Sequence, residues 1–375
     1  MKSKQVYPLY PLATPIDLSV NPNLPLVIVD CDDVLYITNE AALEEQNKKY
    51  GTSYTLTDIT CWGISGNEVI DGRLELFKDP EFVKNQPLYP GAKKFIAELS
   101  KIARILFVTA VPPTCMSARA QRIIDDFGAN PKQIVIASDK SSIKADYHLD
   151  DSAEHILNSS AKHPVLFRRP WNYSVSGVTS VSKYEDFLCF VKYVEQRAPF
   201  VGIPSESSFI CLVGPSGSGK TEMAIDAFKK FGFRRPKTST TRKRENDTNY
   251  FYEYVSQSEF IKRMNEGTFV ETTVYGGEYY GISKATLEKF IQKKHVAIIP
   301  MDMCGAMAIK NLYPDRTAIV FVEKNKQELV SEILIKEMPN EEKVLRLLNI
   351  DTEMSNRQFC DIVVHKTEDL NKIIL

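Results

Sequence analysis

Short apolar runs rich in Val and Ile recur along the chain, and helical patterns lie between them. Four of these runs occupy 26–29 "LVIV", 105–108 "ILFV", 134–136 "IVI" and 165–167 "VLF". Strands that are buried on both faces of a parallel sheet have continuous apolar sequences, and helices commonly connect such strands. The pattern therefore predicts an α/β fold built on parallel sheets.

This alternation runs through the chain twice. The first series closes with a helical packing face at 183–194, and "RAPFVGIPSESS" (197–208) follows it with two prolines, a glycine and three serines. A second series starts at 209 with "FICLVG". A length of 375 residues also favours two domains. We expect an N-terminal extension at 1–24, a first α/β domain at 25–196, a linker at 197–206 and a second α/β domain at 207–375.

Further strands and helices can be placed in the second series. Strands are predicted at 209–213, 296–299, 317–322 and 362–364. Helices are predicted at 220–230, 256–266, 284–293 and 326–337.

Composition is that of an ordinary globular protein, with 43% hydrophobic and 25% charged residues and a net charge of −1. This balance argues against a nucleic-acid or membrane surface. The seven cysteines are scattered without a CxxC pair, which indicates a reducing compartment. Prolines interrupt the N-terminus where a signal peptide needs an apolar stretch. We expect a soluble cytoplasmic protein, in the host cytoplasm if the chain is viral, and no membrane partner.

A glycine-rich motif, "GPSGSGKT" at 214–221, lies between a predicted strand and a predicted helix. It matches G-x-x-x-x-G-K-[ST], in which backbone N–H groups and the helix N-terminus bind phosphate oxygens. Lys220 would neutralise the β- and γ-phosphates, and Thr221 would bind Mg²⁺. A glycine-rich turn without a ligand is the alternative, and the flanking strand and helix argue against it. The predicted ATP-binding residues are Gly214, Pro215, Ser216, Gly217, Ser218, Gly219, Lys220 and Thr221.

Three stretches follow this loop in order: "TSTTRKREND" (238–247), "NYFYEYVSQSEFIKRMNEGTFVETTVYGGEYYGISKATL" (249–287) and "IIPMDMCGA" (298–306). With the phosphate loop, this order resembles guanylate kinase over about the whole second domain. The resemblance implies ATP as phosphoryl donor and (d)GMP as acceptor. Arg346 would stabilise charge on the transferring phosphoryl group. The implied acceptor-binding residues are Ser239, Arg242, Arg244, Tyr250, Glu271, Tyr280, Ser283 and Asp302.

Within that set, the resemblance implies two tasks. Arginines and hydroxyls would bind the acceptor phosphate, because guanidinium groups pair bidentately with phosphate oxygens. Glu271 and Asp302 would accept hydrogen bonds from the purine edge. The chain departs from the family at Ile282, where the family supplies Ser or Thr to the guanine O6 atom, and Ser283 follows. Lys336 stands in the lid region (331–343), where the family has arginines.

An acidic cluster, "VIVDCDDVL" (27–35), follows the first strand. An acidic surface turn is one reading, since short acidic clusters are usually solvated. Three later elements favour a site: Thr109 in "LFVTA", Lys140 in "ASDKSS", and Asp150 with Asp151 in "ADYHLDD". This order resembles the haloacid dehalogenase superfamily of phosphatases. The spacing from lysine to double aspartate is similar to that of its 5′(3′)-deoxyribonucleotidase branch, over about 25–195.

The phosphatase resemblance implies a role for each of these residues. Asp30 would attack phosphorus and form an aspartyl-phosphate, and Asp32 would act as general acid and then base. Thr109 and Lys140 would hold the phosphate. Mg²⁺ would bind Asp30, the backbone carbonyl of Asp32 and one of Asp150 and Asp151. A helical insert at 36–88 would form a cap, and Asp33 has no role beyond a local turn contact.

Three hypotheses for function follow: two are enzymatic, and the third makes the second domain a binding module for protein ligands. The leading one is a bifunctional enzyme that hydrolyses nucleoside 5′-monophosphates and phosphorylates a nucleoside monophosphate, with different base preferences in the two domains. The second is nucleic-acid end healing by a 3′-phosphatase and a 5′-hydroxyl kinase, against which the neutral net charge argues. The third is a phosphatase fused to a guanylate-kinase-like binding module. Small-molecule nucleotides are the expected partners, and the oligomeric state is left open.

Overall fold

The computed structural model describes residues 21–173, 175, 178–196, 199–243, 251–275, 278–338 and 340–375. These residues form two units. The first unit takes the described parts of Met1–Asp58 with Gly63–Asp150 and Asn158–His163. The second unit takes Ile59–Trp62, Asp151–Leu157 and the described parts of Pro164–Leu375.

A parallel sheet with helices around it forms the first unit. Its strands lie in the order β3-β2-β1-β4, and β1 pairs in parallel with β2 and β4. The elements are β1 (Leu26–Val29), α1 (Asn39–Tyr50), α2 (Glu68–Asp71), α3 (Arg73–Leu76), α4 (Pro80–Asn85), α5 (Ala92–Leu99), β2 (Arg104–Thr109), α6 (Met116–Phe127), β3 (Ile134–Ile136) and β4 (Tyr147–Asp150).

The sequence explains the main features of this unit. Val27, Ile28 and Val29 of β1 are fully buried, as expected for a central parallel strand. Helix α5 buries Phe95, Ile96 and Leu99 on one face, which is the spacing of an amphipathic helix. The helices α1 to α4 all lie within 36–88, so the predicted insert is helical.

The remaining elements contain two more sheets and a short strand pair. They are α7 (Ala153–Leu157), β5 (His163–Phe167), β6 (Ser180–Val181), α8 (Tyr184–Glu195), β7 (Ser208–Val213), α9 (Lys220–Phe231), β8 (Thr238–Thr240), β9 (Tyr252–Tyr254), α10 (Gln257–Asn265), β10 (Phe269–Tyr275), β11 (Glu278–Ser283), α11 (Lys284–Gln292), β12 (Val296–Pro300), α12 (Met303–Leu312), β13 (Thr317–Val322), α13 (Lys326–Ile335), α14 (Asn340–Ser355) and β14 (Ile362–Val364).

The two sheets of the second unit differ in the relative direction of their strands. The central sheet, β12-β7-β13-β14, is entirely parallel, and every residue of β7 and β13 is buried. The other sheet, β10-β11-β8-β9, is mixed, because β11 runs antiparallel to both β10 and β8. The predicted α/β class with parallel sheets is thus confirmed, and a mixed sheet accompanies it.

Each apolar run that predicted a strand is a strand in the structure. The strands β8 and β9 were not predicted, because "TST" and "YEY" are short and contain no continuous apolar run. In the part of the chain described, no helix has both the length and the apolar character needed to cross a membrane.

The segment 164–196 packs within the second unit. In α8, Phe187, Phe190 and Val191 are fully buried, and the Phe190 ring lies 4.9 Å from that of Phe359 between centroids. The hydroxyl of Tyr193 donates to Asp361 Oδ1 at 2.6 Å. Helix α8 is therefore part of the core built around α12 and the central sheet.

Part of the predicted linker also lies in this unit. Ile203 is 2% exposed, its backbone N–H donates to the Ile373 carbonyl at 2.8 Å, and its own carbonyl accepts from the Leu375 N–H at 2.9 Å. These bonds fix Ile203 against the C-terminal end of the chain.

Candidate active sites

The carboxyl ends of three neighbouring strands bring the first group of predicted residues together. Asp30 directly follows β1, and its backbone N–H donates to the Leu149 carbonyl at 2.9 Å. Thr109 and Asp150 are the last residues of β2 and β4. Parallel strands place their ligands at this edge of a sheet, so the fold itself positions these side chains.

Lys140 joins two of these carboxylates. Its Nζ lies 2.6 Å from Asp30 Oδ1 and 2.7 Å from Asp150 Oδ2, and all three residues are buried. Burial opposes the charge of Lys140, but the two carboxylates outweigh it and raise the pKa of Lys140. Burial and Asp150 raise the pKa of Asp30 to about 7, against the lowering effect of Lys140. One buried ammonium group thus faces two carboxylates.

Three carboxylates form an oxygen-rich cluster here. Asp30, Asp150 and Asp151 each offer one oxygen, and these oxygens lie within 4.8 Å of one another. Asp151 is held by its own neighbours: Trp171 Nε1 donates to its Oδ2 at 2.8 Å, and Asn172 Nδ2 donates to its backbone carbonyl at 2.8 Å. Carboxylate oxygens are the donors that hard divalent cations prefer, so this set fits Mg²⁺.

Asp32 lies in a separate hydrogen-bonding environment. Its Oδ1 accepts from Thr38 Oγ1 at 2.7 Å and from Arg119 Nη2 at 2.5 Å, and its Oδ2 accepts from Thr109 Oγ1 at 3.3 Å. Arg119 is fully buried and also donates to Gln86 Oε1 at 2.7 Å. Thr109 therefore contacts the predicted acid/base group.

Arg119 was missed from the sequence, although a signal exists. On α6 it precedes Ile123 and Phe127 at intervals of four, and both of these residues are buried. A charged residue within such an apolar stripe must be paired when it is buried. Its position in the stripe therefore marks Arg119 as a residue with a specific partner.

Asp33 makes more structural contacts than the local turn contact expected from the sequence. Its φ is +52°, and its Oδ1 accepts from the backbone N–H groups of Thr38 and Asn39 at 3.1 Å each. These donors lie at the start of α1, where backbone N–H groups lack partners in the helix. Asn39 in turn accepts from Arg73 Nε at 2.7 Å. Asp33 thus caps α1 and links the acidic loop to α3.

The phosphate loop of the second unit has the backbone that its glycines permit. Gly214, Gly217 and Gly219 have φ values of +151°, +86° and +88°. A Cβ atom at Gly214 would lie 2.7 Å from the Val322 carbonyl oxygen, so a side chain has no room there. The loop leads directly into α9, which starts at Lys220.

Cationic side chains surround this loop. Lys220 Nζ donates to the carbonyls of Gly214 at 2.5 Å and Pro215 at 2.9 Å, and burial lowers the pKa of Lys220 to about 8. Arg346 Nη1 donates to Ser216 Oγ at 2.6 Å. Thr221 is exposed in the first turn of α9. The structure thus brings Arg346 to the predicted ATP-binding loop.

A carboxylate also reaches the loop. The backbone N–H of Ser216 donates to Glu353 Oε2 at 2.8 Å, and burial raises the pKa of Glu353. Glu353 lies on α14, seven residues after Arg346, so both side chains lie on the same helix face. The sequence analysis missed Glu353, and this helical spacing from Arg346 is the signal that could have found it.

A cavity of about 650 Å³ adjoins the loop. Its lining includes Lys220, Thr221 and Arg346 together with four of the predicted acceptor-binding residues: Arg242, Glu271, Tyr280 and Asp302. Arg244 and Tyr250 lie outside the described residues. The structure therefore gathers the donor loop and much of the predicted acceptor set around one space.

Ser239 and Ser283 were predicted to bind the acceptor, but in each case it is the preceding residue that lines the cavity as described. Ser239 Oγ donates to Glu253 Oε2 at 2.7 Å, whereas Thr238 lines the cavity. Ser283 caps α11 by accepting from the Thr286 N–H at 3.2 Å, whereas Ile282 lines the cavity. A one-residue step along a strand reverses the face on which a side chain lies, which accounts for both differences.

Two more lining residues were not predicted. Arg235 Nη2 donates to the Tyr252 hydroxyl at 3.2 Å, and both residues line the cavity. Tyr252 belongs to the same short aromatic stretch as Tyr250, two positions later. The signal was therefore present, but the stretch offered more than one tyrosine.

Glu271 and Asp302 lie on the same cavity and differ in their contacts. Asp302 Oδ1 accepts from the Gly305 N–H at 2.9 Å, and its Oδ2 accepts from Thr273 Oγ1 at 3.1 Å. Glu271 is 6% exposed, and burial together with the Asp302 charge raises its pKa to about 8. Asp302 is thus held by protein donors, and Glu271 is a buried carboxyl group on the cavity wall.

Two family models match separate parts of the chain. The guanylate kinase family model matches residues 206–374. The model for 5′ nucleotidase, deoxy (pyrimidine), cytosolic type C protein matches residues 24–196. A curated guanylate kinase from Wolinella succinogenes is 30% identical over 165 residues, which cover 43% of this chain and 77% of that protein.

A search of solved structures found a guanylate kinase and a haloacid dehalogenase-like hydrolase among the similar chains. A guanylate kinase from Anaplasma phagocytophilum has a TM-score of 0.33 and 18% identity. The match covers 45% of this chain and 80% of that kinase. A haloacid dehalogenase-like family hydrolase from Xanthomonas campestris has a TM-score of 0.23 and 13% identity. The match covers 38% of this chain and 82% of the hydrolase.

Proposed function

Because the chain belongs to the guanylate kinase family through residues 206–374 and carries a 5′-nucleotidase-type domain over 24–196, we propose that it is a bifunctional enzyme of nucleotide metabolism. One activity hydrolyses nucleoside 5′-monophosphates, and the other phosphorylates a nucleoside monophosphate with ATP. The observation that supports this proposal is the presence of a buried Asp30–Lys140–Asp150 cluster and of a cavity beside the phosphate loop.

In the nucleotidase reaction, Asp30 attacks the phosphorus of the 5′-monophosphate. The bond from phosphorus to the nucleoside oxygen breaks, and Asp32 gives a proton to that oxygen. Asp32 then takes a proton from the water that attacks the aspartyl-phosphate, so that inorganic phosphate leaves. Lys140 provides positive charge next to Asp30 throughout, since its Nζ already lies 2.6 Å from the nucleophile.

The Asp30, Asp150 and Asp151 carboxylates would hold Mg²⁺, and the backbone carbonyl of Asp32 would complete the protein ligands. When it is bound, the cation lets an anionic carboxylate approach an anionic phosphate. The support for this assignment is the oxygen donor set and its spacing within 4.8 Å.

In the kinase reaction, the loop from Gly214 to Thr221 binds the triphosphate of ATP, and Lys220 moves from the Gly214 and Pro215 carbonyls to the phosphates. Thr221 would contribute to a second Mg²⁺ site. An oxygen of the acceptor monophosphate attacks the γ-phosphorus, and ADP leaves. Arg346, already at Ser216, stabilises the charge that spreads over the transferring group.

The kinase acceptor is (d)GMP in this proposal, and the nucleotidase prefers other bases. If both domains used one substrate, they would form and destroy the same monophosphate in a futile cycle at the expense of ATP. Different preferences would instead convert one part of a nucleotide pool while depleting another.

A panel of nucleoside and deoxynucleoside monophosphates tests the proposal. Phosphate release and ATP consumption are measured on wild type, Asp30→Asn and Lys220→Ala. We expect Asp30→Asn to abolish phosphate release alone, and Lys220→Ala to abolish ATP consumption alone. If Asp30→Asn still released phosphate, the assignment of Asp30 as the nucleophile would be wrong. If no monophosphate in the panel caused ATP consumption, the result would instead favour a binding module. Identical base profiles for the two activities would contradict the proposal that the domains prefer different bases.

A further inference from the structure

Part of the kinase cavity is lined by residues from outside the guanylate kinase match. Arg168, Val175 and Val178 belong to the cavity lining. All three lie within the nucleotidase-model match, which ends at 196. The structure nevertheless places the chain from Pro164 onward in the second unit. The cavity is therefore completed by a piece of chain that a free-standing guanylate kinase domain, starting near 206, would lack.

This segment is fixed to the kinase elements by several contacts. Thr179 Oγ1 donates to Asn356 Oδ1 at 2.7 Å, and Asn356 also lines the cavity. The ring of Tyr173 makes an edge contact with that of Tyr279, with centroids 6.2 Å apart. Arg168 is consequently carried on a segment that has a defined position against the cavity.

Two hydrogen bonds from one nitrogen orient the Arg168 guanidinium. It directly follows β5, it is 7% exposed, and its backbone N–H donates to the Val181 carbonyl at 2.8 Å. Its Nη1 donates to the carbonyls of Asn172 at 3.0 Å and Val175 at 2.6 Å. A guanidinium has five N–H donors, and both of these bonds use the same nitrogen. Among the residues that the structure describes, no partner uses the donors on Nε and Nη2, so these are the donors left for a ligand.

The neighbourhood of Arg168 is mostly acidic. Burial raises the pKa of the Cys304 thiol, the charges of Asp302, Asp186 and Glu271 raise it further, and Arg168 lowers it. Of these charged residues, Arg168, Asp302 and Glu271 line the cavity. This end of the cavity thus combines one rigid donor with two acceptors.

We propose that Arg168 is a base-recognition residue of the kinase cavity, donating to O6 and N7 of a guanine base. This inference rests on the proposed kinase function and names the residue that would select its substrate. Guanine presents two adjacent acceptors, O6 and N7, which match the geometry of a guanidinium. Its N1–H and 2-amino donors suit Glu271 and Asp302. Adenine carries an amino group at position 6, which would face Arg168 donor to donor.

Ile282 makes such a donor necessary. It lines the same cavity, is 2% exposed, and offers no hydroxyl to a base oxygen. An unsatisfied base carbonyl in a buried pocket costs binding free energy. Arg168 supplies the missing donor from a different segment of the chain.

The test compares wild type and Arg168→Gln in the full-length chain on four acceptors. GMP and IMP carry O6, whereas AMP and 2-aminopurine riboside monophosphate do not. We expect kcat/KM for GMP and IMP to fall roughly 10- to 100-fold, the factor for a lost hydrogen bond from a charged donor. For the two acceptors without O6, kcat/KM should change less than about twofold, well below that loss. Arg169→Gln, one position later and outside the described lining, is the matched control and should leave all four values unchanged.

An equal loss on all four acceptors would overturn the inference, because it would indicate a phosphate contact or a distorted cavity. Unchanged values for GMP and IMP would overturn it as well. The KM for ATP and the melting temperature report distortion directly, and Arg168→Lys should recover part of the GMP activity if charge at this position binds the base. If wild type neither binds GMP by calorimetry nor consumes ATP with any acceptor, the proposed kinase function itself fails.

Discussion

The two candidate sites hold their charged groups in different ways. In the nucleotidase site the groups contact one another, since Lys140 lies within 2.7 Å of both Asp30 and Asp150. In the kinase cavity they contact the loop instead: Lys220 donates to backbone carbonyls, and Glu353 accepts from the Ser216 N–H. The first site is arranged by its own charges, whereas a nucleotide must displace protein contacts in the second. Substitutions should therefore damage folding at the first site and ligand binding at the second.

The largest effect is expected from Lys140→Ala. The substitution leaves Asp30 and Asp150 facing each other in a buried site without the shared cation. Breaking a buried ion pair by removing one partner costs about 3–5 kcal/mol of unfolding free energy. Phosphate release should also fall about 10²- to 10³-fold, because charge next to the reacting phosphate is lost. Urea unfolding and phosphate release from a monophosphate measure the two effects.

Lys144→Ala is the matched control, because Lys144 is an exposed lysine four positions later. It should change the unfolding free energy by less than about 0.5 kcal/mol, as ordinary surface substitutions do. If Lys140→Ala were equally mild, the charges of this site would not stabilise the fold, and the contrast between the two sites would disappear.

The next effect concerns Glu271 and pH. The pKa of Glu271 in the cavity is raised to about 8, so the group is mostly neutral at pH 6 and half ionised at pH 8. Guanine donors need the carboxylate, and binding at low pH must therefore expel a proton. Affinity for GMP should rise roughly 50-fold between pH 6 and pH 8 and level off above that, as linkage to one group requires. Calorimetry without ATP measures this dependence.

Glu271→Gln is the baseline for the pH measurement. It retains the size of the side chain but cannot ionise, so any remaining pH dependence reports the phosphate of GMP and other groups such as Lys220. Asp302 is the charged neighbour that raises the pKa of Glu271, and the nearby Cys211 and Cys304 thiols stay neutral because burial raises their pKa. If GMP affinity depended on pH in the same way in wild type and Glu271→Gln, ionisation of Glu271 would have no part in GMP binding.

The residues that the structure gathers at the candidate nucleotidase site could be located largely from the sequence, because they occur at the ends of strands. Asp30, Thr109 and Asp150 each follow or end an apolar run, and the parallel order of β2, β1 and β4 brings them to one edge. Asp32 and Lys140 lie on the adjoining loops. What could not be predicted is the pairing with Asp32: the apolar stripe of α6 marks Arg119 as a residue that needs a partner, but no local pattern relates α6 to the acidic loop.

The kinase cavity was harder to predict for two physical reasons. Thr238 and Ser239 are adjacent hydroxyl residues on a short strand, and only the strand register decides which of them faces the cavity. Arg168 comes from a segment that the sequence assigns to the other domain, so its contribution depends on tertiary packing alone. Motifs indicated the kind of site, and the packing determined its lining.

A smaller effect is expected from Trp171→Phe, which changes the orientation of Asp151, a proposed metal ligand, without altering its charge. The indole N–H donates to Asp151 Oδ2 at 2.8 Å, and Phe keeps the ring but removes this donor. Loss of a hydrogen bond that orients a ligand typically lowers metal affinity about 10- to 100-fold. Calorimetric titration with Mg²⁺ measures the change directly, and the magnesium dependence of phosphate release should shift with it.

Trp62→Phe is the matched control for this change, since the Trp62 ring lies 5.8 Å from that of Trp171 between centroids. Magnesium affinity should stay at the wild-type value in this variant. Equal affinities in both variants would mean that Asp151 does not need the indole donor, and the nucleotidase site would then depend on its charges alone.

The smallest effect is expected at Asp33, where the acidic loop meets α1. Asp33→Ala removes the acceptor for the Thr38 and Asn39 N–H groups and places a residue with a Cβ at a φ of +52°. Loss of a helix cap costs about 1–2 kcal/mol of unfolding free energy. Asp33→Gly relieves the backbone but also removes the acceptor, and Asp33→Asn keeps an acceptor oxygen. Urea unfolding should therefore rank the variants Asn, Gly, Ala from most to least stable. Because Asp33 contacts neither Asp30 nor Lys140 among the described hydrogen bonds, phosphate release per folded molecule should change far less than with Lys140→Ala; a comparable loss would show that the cap, and not the charge pairing, arranges this site.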